Sequence, residues 1–334
     1  MKTLHLTSHV GTRKNIENVF NYLNMGDQLV TESCVYTGFY INAQDADEIW
    51  AYYQNENKLD GYDCLLFTDT TMIARPFLQN IHQHNFFIII YVTNRFDWGF
   101  FGREDHDYLK LYSEVSSIYD NRVIFCADNN YDQYYAKVHN ISFLYEKCIN
   151  LTPQLCDKIH LPSKNKFFIY NRGTKINNYE DILKTHNIDY DIFGENYNRY
   201  KDSEEICEYT GFIHLPYQVN IQSLWENLGY YIIYFIPSKK FIKELIAAES
   251  WYYWEEKDRP QFLEQSIDFS EWYIDENTCL FEYFDSWSDL ESKSKKITHD
   301  YLIQKKETVK KFMMNSNENN LLKWQNIFSI SKII

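Results

Sequence analysis

Short apolar runs, each closed by polar turn residues and followed by helical spacing, recur along the whole chain. The clearest is Phe86–Val92, an uncharged apolar run that ends in Thr93-Asn-Arg95-Phe-Asp97. A run of that kind suits a strand buried on both faces of a parallel sheet. Thr3–Ser8, Tyr62–Thr68 and Arg122–Ala127 read as further strands. Between them, Arg13–Asn24, Ala46–Gln54, a stretch from Pro76 to Gln83, Asp105–Ile118 and Asp128–Lys137 read as helices. Strand alternating with helix predicts a parallel sheet with crossover helices.

The alternation lapses between Asn150 and Lys166, where two of the six prolines fall, and then restarts. Lys166–Tyr170, Tyr190–Phe193 and Gly211–Leu215 are expected strands, the last closed by Pro216. Leu224–Leu228 is an expected short helix ended by Gly229 as a C-cap glycine. Tyr230–Ile236 reads as one continuous strand, and Lys239–Ala248 as a helix with Ser238 as N-cap. Beyond Trp251 the chain turns helical and aromatic. Ile297–Phe328 is expected to form one or two closing helices, with Lys305–Lys311 a solvated face. The expected fold class is α/β, with two Rossmann-like parallel-sheet domains facing a cleft. Residues 1–155 form the first domain, 165–296 the second, and 297–334 close back on the first.

Length and composition bound the function. A chain of 334 residues exceeds one ordinary domain. The net charge of −14 argues against a general nucleic-acid binder but leaves room for a local basic pocket. No apolar run approaches the length of a membrane span, which leaves contact with a membrane surface open. No long apolar signal segment precedes Leu4, and seven cysteines stand singly without a C-x-x-C pair. A cytoplasmic protein with reduced thiols is the expectation. Aromatic residues make up 18% of the chain, which fits either codon bias or sugar-stacking surfaces. G-x-G-x-x-G, G-x-S-x-G and the P-loop pattern are all absent.

Polar residues at expected strand ends are the candidate site residues, because open α/β sheets bind ligands beyond the carboxyl ends of their strands. His9 follows the first strand and is the candidate general base. Asp69 and Asp97 follow later strands and are rival bases or acceptor ligands, although Asp97 could pair with Arg95. Arg172 beside Gly173 offers a guanidinium fork for phosphate where the backbone can approach closely. Asp189-Tyr-Asp191 has the spacing of a metal-holding D-x-D motif, but it opens an apolar strand and reads as chance.

The second half, with IYNRG, YDIFGE and GFIHLPYQ…SLWENL…YYIIYFIPSKKFIKEL, resembles the GT-B-fold glycosyltransferases. The closing HDYLI…LLKWQNIF is similar to their terminal helix, and specific motif support spans residues 166–245. The resemblance implies that Glu226 accepts the donor ribose hydroxyls. Ser223 and the backbone from Gln218 to Gln222 would face the donor diphosphate. A plain S-x-x-E capping box would leave the same two side chains without a ligand. The E-x7-E pattern of many retaining members is not cleanly present, so the stereochemical class stays open. The implied activity is metal-independent transfer of a sugar from a nucleotide-diphosphate donor, as co-substrate, to a carbohydrate hydroxyl. The alternatives are a nucleotide-sugar epimerase and a non-enzymatic carbohydrate-binding scaffold.

Overall fold

The computed structural model describes residues 1–34, 36, 40–100, 106–119, 121–141, 148–171, 179–194, 197–254 and 259–330. The chain separates into two units, Met1–Thr152 with Asn317–Ile334, and Pro153–Ser316. Each carries one five-stranded parallel sheet with helices in the crossovers.

In the first unit the strands are β1 (Thr3–Thr7), β2 (Leu29–Ser33), β3 (Cys64–Asp69), β4 (Phe87–Val92) and β5 (Val123–Ala127). Their spatial order is β2-β1-β3-β4-β5, with Leu4 opposite Leu65 and Cys64 opposite Phe87. The chain first steps from β1 to β2 on one side, then returns to place β3 on the other. The point where strand order reverses therefore lies between β1 and β3.

A chain of buried polar contacts runs beneath that point. His5 contacts the Thr31 hydroxyl through Nδ1 (3.3 Å) and the Thr68 hydroxyl through Nε2 (2.9 Å). Thr68 donates to Thr12 Oγ1 at 3.0 Å, and the Thr12 and Thr7 hydroxyls lie 2.7 Å apart. These links tie β1, β2 and β3 to the helix Val10–Tyr22. Burial, with help from the Arg13 charge, pulls the His5 pKa down to about 3, so the ring is neutral.

The second unit holds β6 (Phe167–Asn171), β7 (Tyr190–Gly194), β8 (Gly211–Ile213), β9 (Tyr234–Pro237) and β10 (Phe281–Phe284), in the order β10-β9-β8-β6-β7. Its reversal falls between β6 and β8. The aromatic richness of the chain is largely core here. Phe168 stacks on Phe193 at 4.8 Å and meets Phe212 edge-on at 4.9 Å, and Phe212 stacks on Tyr234 at 4.9 Å. Each such pair adds about 0.5–1.5 kcal/mol beyond area burial.

Several sequence expectations change. The run Tyr230–Ile236 is not one strand: Tyr231 takes a left-handed turn (φ 59°) and β9 starts only at Tyr234. Gly229 is the last residue of its helix, with Tyr230 as C-cap. It is required by proximity, since a Cβ there would lie 2.4 Å from the Gln154 carbonyl oxygen. The closing segment is a single helix, His299–Ile330. Its lysines are not all solvated. Lys305 pairs with Glu282 at 2.6 Å, and buried Lys306 donates to the Tyr231 carbonyl at 3.3 Å. The last part of this helix belongs to the first unit, where Trp324 meets Tyr91 at 5.3 Å and Phe328 meets Phe20 at 5.1 Å.

The His5 chain makes a pH prediction. The unfolded ring titrates near 6.5, so the unfolded state binds more protons between there and pH 3. Stability should therefore fall on acidification through that window, by up to ~1.4 kcal/mol per pH unit from this group. Urea titrations of the protein and of His5→Gln should converge as pH drops from 6 to 4. Parallel pH profiles would show that His5 is not the cause.

Candidate functional site

Each unit presents polar residues at its strand-order reversal. In the first unit, β1 ends at Thr7, and Ser8 and His9 follow. Ser8 donates its hydroxyl to Asp69 Oδ2 at 2.6 Å, across the reversal from the end of β3. Asn94, in the loop after β4, donates to Asp69 Oδ1 at 3.2 Å. Asp69 also takes a left-handed backbone conformation, φ 89°, with its carbonyl accepting from the Thr93 amide at 3.2 Å. That geometry costs a non-glycine residue roughly 1–2 kcal/mol, and such strain clusters at ligand sites. Ser8, Asp69 and Asn94 thus form one linked group. Neither Ser8 nor Asn94 stands out in the sequence, because their significance comes from strands distant in the chain.

His9 is exposed and is the N-cap of the helix Val10–Tyr22. Its Nδ1 accepts from the Gly11 amide at 3.0 Å. In the neutral ring that bond puts the proton on Nε2. Asp97 is held differently, accepting from the Tyr135 hydroxyl at 2.9 Å, while Arg95 approaches Asp132 at 3.8 Å. Cys34 lies in the same region. Burial, with the Asp69 charge, raises its thiol to about 12, which removes it as a nucleophile.

In the second unit the residues after β6 include Arg172 and Gly173, which lie outside the described residues. The segment after β8 is well fixed. Its consecutive carbonyls at Pro216, Tyr217, Gln218 and Val219 accept from Trp251 Nε1 (2.7 Å), the Trp254 amide (2.7 Å), Trp272 Nε1 (3.0 Å) and the Glu271 amide (3.0 Å). A rigid peptide results, with Gln218 half-buried within it. His214, directly after β8, is buried and stacks on Trp272 at 4.7 Å. It stands at the reversal, and its place between an apolar run and Pro216 is the sequence signal that would have singled it out.

The helix Gln222–Gly229 follows this peptide. Its N-cap is Ile221, and no side chain caps it. The S-x-x-E capping box therefore does not form: Ser223 is the second helical residue and Glu226 the fifth, beyond the first turn. Leaving first-turn amides without a side-chain acceptor is what an anion-binding helix start requires. Glu226 is half-buried and adds its charge to the field that, after burial, raises the Tyr234 phenol. Its neighbour Asn227 is structural, donating to the Tyr234 hydroxyl and accepting from Ser203, both at 2.7 Å. Asp191 is structural as well, paired with Lys166 at 2.8 Å and accepting from Tyr209 at 3.1 Å. Among the described residues no cluster of His, Cys, Asp or Glu is arranged to hold a metal ion, and no helix is long and apolar enough to cross a membrane.

No family model and no curated protein matches the sequence. Solved structures do match the fold. A glycosyltransferase from Rickettsia africae ESF-5 is similar with a TM-score of 0.59 and 11% identity, over 99% of this chain and 98% of that one. Arabidopsis thaliana UGT89C1, determined with UDP-L-rhamnose, is similar with a TM-score of 0.51 and 10% identity, over 99% of both chains. At these identities the likeness is one of fold, and the chain has the GT-B fold that its second half resembled.

The Asp69 geometry is separable by substitution. Asp69→Ala should cost about 1–3 kcal/mol, losing two hydrogen bonds while keeping an unfavourable φ. Asp69→Gly should recover about 1 kcal/mol of that, because only the backbone term is relieved. Denaturant midpoints that rank glycine below alanine would contradict the strained geometry.

Proposed function

We propose that the protein is a glycosyltransferase that moves a hexosyl or pentosyl group from a nucleotide-diphosphate sugar to a carbohydrate hydroxyl. The observation that carries this reading is the uncapped helix Gln222–Gly229, set after a pinned peptide at the strand-order reversal of a GT-B fold. The helix start and the Gln218–Gln222 backbone bind the donor diphosphate, and Ser223 adds a hydroxyl. Glu226 accepts from the ribose hydroxyls. Arg172 beside Gly173 supplies the balancing cation as the diphosphate leaves. No step in this scheme needs a metal ion.

In the inverting form of this reaction the acceptor hydroxyl attacks the anomeric carbon as the bond from that carbon to the diphosphate oxygen breaks. The hydroxyl proton passes to His9. For this His9 gives up its bond to the Gly11 amide, which frees Nδ1 to accept. Losing a cap costs about 0.5–2 kcal/mol, whereas general-base assistance is worth 10²–10⁴ in rate, or about 3–5 kcal/mol. The exchange is therefore affordable within a single base step. Asp69, already accepting from Ser8 and Asn94, orders the loop that carries His9 and ranks second as base. Asp97 is the third candidate base, and its Tyr135 bond makes it a support for the neighbouring loop.

A thermal-shift screen with UDP, GDP and their sugar conjugates should give stabilisation by at least one nucleotide. Glu226→Ala should then raise the nucleotide Kd about tenfold or more, matching the loss of a charge-assisted hydrogen bond pair. His9→Ala should leave that Kd unchanged and lower kcat by at least about 100-fold. No shift with any nucleotide would end the transferase reading, and full activity of His9→Ala would remove it as base.

A further inference from the structure

A pocket of about 560 Å³ in the first unit plays no part in the chemistry above. It is lined by Tyr36, Tyr40 and Ile41 from the segment after β2, and by Asp45, Glu48, Ile49 and Tyr52 from the helix Ala43–Asn55. The four helical residues follow i, i+3, i+4, i+7 spacing, so they share one face. On an ordinary surface helix such a face would be solvated and polar throughout. Here it combines two carboxylates with an isoleucine and a tyrosine, opposite two more tyrosines.

The lining chemistry selects the ligand. Among the described residues, two carboxylates line the pocket and no Lys, Arg or His does. Arg75 donates to the Ile41 carbonyl at 2.6 Å, but it is buried and not among the lining residues. A phosphate or carboxylate ligand would meet repulsion from both carboxylates with no compensating cation among the described lining residues. The carboxylates keep acceptor capacity: Asp45 Oδ2 accepts only weakly from the Asn42 amide at 3.3 Å, and Glu48 Oε1 accepts from Gln44 at 2.9 Å. Tyr36 turns its hydroxyl away, donating to the Ile73 carbonyl at 2.8 Å, so its ring is what remains for a ligand. Aromatic rings beside carboxylates attract cations through both the ring quadrupole and direct charge.

We propose that this pocket binds an organic ammonium group, with Asp45 and Glu48 as counter-charges and Tyr36, Tyr40 and Tyr52 as the aromatic wall. Binding here does not depend on the transferase reading, because the pocket needs neither donor nor acceptor to be present.

Isothermal titration of the full chain at low salt, with choline and ethanolamine as probes, tests it directly. The uncharged isostere 3,3-dimethylbutan-1-ol and glucose serve as neutral comparisons. At least one cationic probe should bind, and it should bind roughly tenfold more tightly than the isostere. Glu48→Gln and Asp45→Asn should each weaken it several-fold, with unchanged far-ultraviolet circular dichroism as the check on folding. Raising salt should weaken binding to the wild type more than to the double variant. Binding of neither cation, equal binding of the isostere, preferential binding of glucose, or indifference to both substitutions would each overturn the assignment.

Discussion

A parallel strand can be followed by its neighbour only after the chain has crossed back over the sheet. That constraint puts every strand's carboxyl end on the same edge, and with it every polar turn that closes an apolar run. In the first unit it brings Ser8, after β1, and Asn94, after β4, within hydrogen-bond reach of Asp69 at the end of β3. In the second it sets the pinned peptide Pro216–Val219 and the uncapped helix start at the same edge. The Ser8, Asp69 and Asn94 group is therefore a by-product of topology: Asp69 neighbours neither of its partners in sequence, and the three meet once the crossovers are made.

The edge also needs support from below, because a turn in a strained conformation holds only if its surroundings over-determine it. In the first unit the hydroxyls of Thr7, Thr12 and Thr68, with the neutral His5 ring, provide that support without introducing a charge. Thr12 also donates to the His9 carbonyl at 2.9 Å, so the buried chain reaches the candidate base itself. Each group in it has a partner, which is the condition under which a buried polar network adds rigidity rather than cost. In the second unit two tryptophan side chains do the equivalent, donating indole N–H groups to the carbonyls of Pro216 and Gln218.

How much of this was legible in the sequence follows from where each element sits. Central strands such as β3 and β4 are apolar throughout because both faces are covered, and they read plainly. β2 and β10 lie at sheet edges, pair on one side only, and carry Thr31, Glu32, Ser33 and Glu282, so neither forms an apolar run. The helix around Glu226 was legible, but its start was not: a Ser three residues before a Glu suggests a capping box, whereas the helix begins two residues earlier and Ile221 takes the N-cap. Gly229 reads as a C-cap glycine, but Tyr230 is the C-cap, and what requires glycine is the approach of Gln154, a contact between residues 75 positions apart that no local pattern encodes. Lys306 is similar. A lysine-rich helical segment reads as solvated, and only the packing of the closing helix on the Tyr231 turn buries it.

The net charge of −14 and an anionic donor are reconciled by distance. At physiological ionic strength the screening length is about 8 Å, so exposed carboxylates elsewhere on the surface contribute little at the start of the Gln222–Gly229 helix. On the proposed reading, a diphosphate would meet there backbone N–H groups whose partial charges act where solvent screens them least. The tyrosine pocket works by the same short-range rule with the opposite sign, since its two carboxylates and ring faces are local to whatever enters it. On the two proposals, an acidic chain would keep an anion-accepting turn in one unit and an anion-rejecting pocket in the other. The sign of each is set by the few groups within a screening length, and the whole-chain charge governs only how the protein is approached from afar.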